Sequence, residues 1–294
     1  MRWTSVVLGH GLSVDATPMS LALRVMGILP PADAVPPVVR LSLRLDPGLG
    51  GPAQSRVGVH RWLLFSGGTR GVVDSGRSHA RLALGPHLLT DRSALRHEVV
   101  DPAVLFLLTA RDRVPLHAAA LAHGGRAVVL AGPSGVGKST LAWMAAQAGI
   151  TVLAEDVVYV ARHPALRLWG RSRSLHLRPA VAARLGVSAG ARLVHRSGVP
   201  KVAVTLPAPA QATAQPAGVV VLAPGCAGRL RELSPTDVAA QFATGLAPGF
   251  DRFASETAEL AVGLAALGAW QLEVDAHPEQ SFATLHRLLQ RLLP

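Results

Sequence analysis

Residues 132–140 read GPSGVGKST, with four residues between Gly132 and Gly137 and the pair Lys138-Ser139 directly after. Glycines at that spacing let successive backbone N–H groups turn into one concavity that cradles phosphate oxygens. Lys138 then carries an ammonium toward the β- and γ-phosphates, and the Ser139 hydroxyl is a ligand for Mg²⁺. Gly132, Pro133, Ser134, Gly135, Val136, Gly137, Lys138, Ser139 and Thr140 are therefore the expected nucleotide-binding residues. The expected cofactors are ATP and Mg²⁺.

Glu155 and Asp156 follow Ser139 by 16 and 17 residues. Adjacent strand residues face opposite sides, so the two acids are expected to do different work, one holding the metal and the other free for proton chemistry. Lys138 and Lys201 are the only lysines among 29 basic residues. A chain that otherwise uses arginine keeps lysine where a compact ammonium on a flexible stem is needed. Lys201 is thus a candidate contact to a second phosphate or to the substrate, the alternative being an incidental surface lysine.

Specific elements must bring these residues together. AVVLA before the glycine-rich stretch reads as a strand, and STLAWMAAQA after it as a helix whose N-terminus adds the positive end of its dipole. Gly149 suits the end of that helix. ITVLA is a second strand, which a right-handed crossover sets parallel to the first, so Glu155 and Asp156 arrive on the same edge as the loop. Upstream, Gly124-Gly125 suits a primed hairpin turn, because both positions tolerate positive φ. With those two residues at the turn centre, His123 pairs with Arg126 and His117 comes opposite Gly132, at the mouth of the loop.

Residues 1–110 carry short, partly alternating apolar segments such as VVRLSLRL and ARLALG, punctuated by Gly and Pro, and are read as a β-rich N-terminal module. DPAVLFLLTARD, 101–112, has helical spacing. Residues 111–294 form the expected nucleotide-binding domain, which continues through the loop LPAPAQATAQPAG, the strands GVVVLAP and WQLEV and a closing helix PEQSFATLHRLLQRLL.

At 294 residues and 49% apolar content the chain can bury a substantial core. Its net charge of +11 is spread without a basic run and with few aromatics for stacking bases, which argues against nucleic acid as a partner. Cys226 is the single cysteine, so no intrachain disulfide forms and a reducing cytoplasm fits. No uncharged apolar run reaches the roughly 18–20 residues that span a bilayer, and GHG interrupts the apolar piece after Arg2, unlike a signal peptide. A soluble cytoplasmic protein is expected, with no membrane partner and with a homo-oligomer left open.

Residues 116–160, LHAAALAHGGRAVVLAGPSGVGKSTLAWMAAQAGITVLAEDVVYV, resemble the catalytic core of the HPr kinase/phosphorylase C-terminal domain family, whose fold is akin to ATP-dependent phosphoenolpyruvate carboxykinase. The resemblance implies an α/β fold with a P-loop kinase core. It also implies that His117 assists the catalytic acid, that Glu155 stands where the general base activates the acceptor serine, and that Asp156 stands where a magnesium-binding acid is found. The family usually has Asp-Asp where this chain has Glu155-Asp156. The later segment LRLWGRSRSLHLRP lacks the acidic, glycine-rich signature of the bifunctional enzymes, so dephosphorylation by phosphorolysis is not expected. HPr kinase-like homologues that modify peptides or other acceptors, some in peptide-natural-product pathways, look closer. Arginines between Arg162 and Arg178 either hold phosphates or an acidic acceptor, or are simply solvated.

The leading expectation is an ATP-dependent phosphotransferase acting on a Ser or Thr hydroxyl of a protein or peptide, with Glu155, His117 and Lys138 as the catalytic residues. The other readings are an ATP-binding or ATP-hydrolysing accessory protein and a small-metabolite kinase.

Overall fold

The computed structural model describes the chain apart from residues 33–34, 50–53, 58–60, 67, 172–173, 188–190, 197–198, 208–211, 227, 243–253, 276 and 294. The described residues form a mixed α/β structure with several sheets, and the chain divides into two compact units between Arg113 and Val114.

In the first unit, β1 (Arg2–Val7), β2 (His10–Thr17), β3 (Pro37–Leu45), β4 (Gln54–Val57), β5 (Arg61–Ser66), β6 (Thr69–Asp74) and β7 (His79–Leu84) make one sheet in the order β1-β2-β3-β7-β6-β5-β4. Alternation decides its buried side: Val39, Leu41 and Leu43 of β3 are buried, while Arg40 and Arg44, at alternate positions, are exposed. Helix α1 (Met19–Met26) buries Leu21, Ala22 and Val25. A short turn α2 (Arg92–Ala94) and a π-helical stretch lead into α3 (Asp101–Thr109), whose Phe106, Leu107 and Leu108 are fully buried.

The second unit is built on a larger sheet. Its strands are β8 (Val114–Leu116), β9 (Ala119–His123), β10 (Arg126–Ala131), β11 (Thr151–Ala154), β12 (Val158–Ala161) and β13 (Arg167–Trp169), with β17 (Thr213–Pro224), β18 (Leu230–Glu232) and β19 (Ala269–Val274) from later in the chain. Gly124 and Gly125, at φ 55° and 78°, make the tight turn between β9 and β10, which pair from His123–Arg126 to Ala119–Leu130. β11 is antiparallel to β9 and so runs parallel to β10 with β9 between them. On the other side β10 pairs parallel with β17, and the end of β17 pairs parallel with β19.

Both faces of β10 are covered. Val128 and Leu130 join Leu141 of helix α4 (Lys138–Gln147) and Leu285 and Leu289 of helix α8 (Pro278–Leu292). Val129 and Ala131 join Leu260 and Leu264 of helix α7 (Ala254–Ala265) and Val238 of α6 (Pro235–Phe242). A strand buried on both sides needs an unbroken apolar run, and AVVLA supplies it.

A smaller sheet lies in the same unit, in the order β14 (Ser174–Leu177), β16 (Val199–Thr205), β15 (Arg192–Arg196), with α5 (Pro179–Arg184) between β14 and β15 in the chain. Leu175, Leu177 and Val204 from this sheet sit in the same core cluster as Val128. Among the described residues no helix is long and apolar enough to cross a membrane.

Candidate active site

Residues 132–137 link β10 to α4, with Pro133, Ser134 and Val136 in the loop and Ser139 and Thr140 in the first helical turn. Gly132, Gly135 and Gly137 have φ values of 137°, 83° and 122°, backbone that side chains resist. A Cβ on Gly132 would also stand 2.6 Å from the Leu222 carbonyl oxygen of β17. α4 begins without a side-chain cap from Gly137. Its first N–H groups therefore add to the positive end of the helix dipole at the loop, an arrangement suited to an anion.

Lys138 is only 7% exposed. Its Nζ donates to the carbonyls of Gly132 at 2.7 Å and Pro133 at 3.0 Å, which folds the ammonium into the loop. Burial lowers its pKa from the ordinary lysine range, and the charges of Asp156 and Glu155 oppose that shift.

The two acids follow directly on β11 and turn to different partners. Glu155 is buried; its Oε1 accepts from Ser139 Oγ at 3.0 Å and from the His176 backbone N–H at 3.4 Å, and its Oε2 lies 3.1 Å from His176 Nδ1. Facing a carboxylate, which only accepts, Nδ1 is the protonated nitrogen of that ring. The Asp156 side chain is 40% exposed, and its Oδ1 lies 3.5 Å from Nδ1 of His117. Burial lowers the pKa of His117, Lys138 acts in the same direction, and Asp156 and Glu155 act against it. The shift favours the neutral imidazole of His117.

Sequence reasoning set His117 to work with Glu155. The structure pairs it with Asp156: in the bend past β11, Glu155 bonds Ser139 of α4 and His176 of β14, and Asp156 lies beside residue 117. His176 is the site residue that sequence reasoning missed. The alternation Ser174-Leu175-His176-Leu177 shows two leucines entering a core and His176 on the other face, but nothing local says that this face meets Glu155.

Arg178, two residues further on, also reaches the site: a Cβ added at Gly135 would run into its guanidinium. Lys201 lies on β16, paired with Val194, in the smaller sheet rather than in the loop mouth. Ser139, Glu155 and Asp156 offer the hard oxygen donors that Mg²⁺ prefers. No group of three or more His, Cys, Asp or Glu among the described residues is arranged to hold a metal. Magnesium in phosphate-transfer sites does not require one, since it takes one or two carboxylates and completes its shell with phosphate and water.

No family model matches the chain, and no curated protein matches it. Among solved structures it is similar to the Hpr(Ser) kinase/phosphatase from Coxiella burnetii, at 13% identity and a TM-score of 0.30, over 60% of this chain and 98% of that one. A likeness this loose assigns neither fold nor function.

Proposed function

We propose that this chain is an ATP-dependent kinase of the HPr kinase type, transferring the γ-phosphoryl group to a Ser or Thr hydroxyl of a protein or peptide. The observation that supports this most is the convergence of Lys138, Ser139, Glu155, Asp156 and His117 on one glycine-rich loop. In this reading Lys138 and the backbone N–H groups of the loop and of the first turn of α4 hold the phosphates, with Arg178 over Gly135.

Partners and exposure divide the labour between the acids. Glu155, buried and bonded to Ser139, is the metal-side carboxylate, and His176 fixes its orientation. Asp156, partly exposed and beside His117, is the base. The resemblance implied the opposite assignment. When bound, Mg²⁺ supplies positive charge against the phosphate oxygens. Asp156 accepts the hydroxyl proton as the acceptor oxygen bonds to the γ-phosphorus and the bond to the β-phosphate oxygen breaks, releasing ADP. His117 is placed to share that proton.

The test is the fate of label from γ-labelled ATP in the presence of a pool of serine peptides. Label on peptide supports the kinase, and Asp156→Asn should slow its appearance at least roughly 10²-fold, the usual scale for losing a general base. Label found only as inorganic phosphate would support the accessory-protein reading instead.

A further inference from the structure

We infer that the polar face of the sheet formed by β14, β16 and β15 is the docking surface for the acceptor, and that it selects an acidic segment around the accepted hydroxyl. The inference rests on the kinase reading above and names its substrate class.

Register carries the argument. His176 pairs with Ala203, and Ala203 on its other side pairs with Arg192. Directly paired residues share a face, so His176 and Arg192 stand on one side of the sheet. Lys201, two residues from Ala203, stands there too. The opposite face is the apolar one, with Leu175, Leu177 and Val204 buried in the core. β14 ends at the pair Leu177–Val202; carried one step further, that register would bring Lys201 across from Arg178, the first residue past β14, whose guanidinium lies against Gly135. At a strand spacing of about 4.8 Å, the cations Arg178, Lys201 and Arg192 make a surface that starts at the loop and runs outward over roughly 10 Å.

Nothing on this sheet offsets that charge, because residues 174–177, 192–196 and 199–205 include no Asp or Glu. The same segments include no Phe, Tyr or Trp on which bases would stack, which favours an acidic polypeptide over a nucleic acid. The nucleotide phosphates are served by the loop amides, Lys138 and Arg178. Lys201 and Arg192 lie one and two strands further out, where a polypeptide approaching Asp156 would lie alongside them.

The experiment measures binding of a fluorescein-labelled peptide, one serine flanked by aspartates, to the full chain, beside counterparts flanked by lysines or asparagines. The aspartate peptide should bind at least roughly 10-fold more tightly than the asparagine one, and Lys201→Glu with Arg192→Glu should remove that advantage. The same double variant should gain affinity for the lysine peptide, which shows that it is folded, and should keep its MgATP affinity. Equal binding of the three peptides, an unchanged aspartate peptide affinity in the variant, or a loss of MgATP affinity in its place would overturn the inference. So would a single-stranded oligonucleotide that outcompetes the aspartate peptide. Transfer of phosphate without charge preference overturns the docking surface alone. Charge-selective docking with no transfer overturns the kinase reading and, with it, the acceptor role of this face.

Discussion

His176 is bonded to Glu155, and its removal should be felt at the glycine-rich loop. In His176→Ala, Glu155 keeps Ser139 Oγ and the backbone N–H of residue 176 and loses the Nδ1 contact at 3.1 Å. One hydrogen bond to an ion is worth about 1.5–3 kcal/mol. The Glu155 side chain is 8% exposed, so solvent replaces that partner only in part, through the space the ring vacates. The low end of the range is therefore expected, and about 1.4 kcal/mol is tenfold in an equilibrium constant. Since Glu155 is placed on the metal side, the loss should appear as an approximately tenfold higher Mg²⁺ requirement for nucleotide binding, with affinity near parental once Mg²⁺ saturates. His176→Asn should recover most of it, because an amide nitrogen there occupies the place of Nδ1. The readout is the half-point of a Mg²⁺ titration against a fixed concentration of a fluorescent ATP analogue. An unmoved half-point in His176→Ala, or Asn no better than Ala, would refute the claim that this contact sets the carboxylate.

Lys138→Ala should weaken MgATP binding by at least roughly 10-fold in calorimetry, as expected for losing a charge-assisted contact, and an unchanged affinity would remove the loop lysine from the site. Gly135→Ala should weaken MgATP as well, since it meets the Arg178 guanidinium and forces alanine to φ 83°, a left-handed strain of about 1–2 kcal/mol. Placed on Arg178→Ala, the same change should cost less, and strict additivity in that double-mutant cycle would place Arg178 away from the loop. His10, His79 and His117 all have pKa values lowered by burial first of all. Each binds a proton less readily folded than unfolded, so their contribution to stability is complete above the ordinary histidine pKa of about 6.5 and is lost as pH falls through the depressed values. Denaturation midpoints should therefore drop between about pH 7.5 and 5.5, by less in His117→Gln, and a flat profile would contradict the burial of these rings.

The glycine-rich loop and its flanks were legible because residue types at short spacing dictate them. Gly124-Gly125 fixes a turn, the turn fixes a register, and that register holds from His123–Arg126 to Ala119–Leu130. β11 parallel to β10 also follows from the sequence, although β9 lies between them, where a hairpin strand fits without any change of direction. What stayed hidden depends on phase and on distant pairing. Alternation led to the expectation that Glu155 and Asp156 part company but could not say which of them would face His117, since both lie in the bend past β11. His176 and Arg178 reach the loop only through the pairing of residues 174–177 with 202–205, and α5 and β15 intervene, so no short turn announces that register.

Glu155 is held at Oε1 by α4, through Ser139, and at both oxygens by β14, through His176. A single carboxylate thus rivets α4 to the sheet that carries Lys201 and Arg192. Whatever stiffens β14 from outside also narrows the freedom of Glu155, and whatever engages Glu155 from the loop stiffens β14. Were the sheet and the loop each to take a ligand, such a linkage would be reciprocal by thermodynamic necessity: each occupant would raise affinity at the other site by the same factor. Two ligands that never touch would then load as a cooperative pair, with Glu155 as the mechanical joint between them.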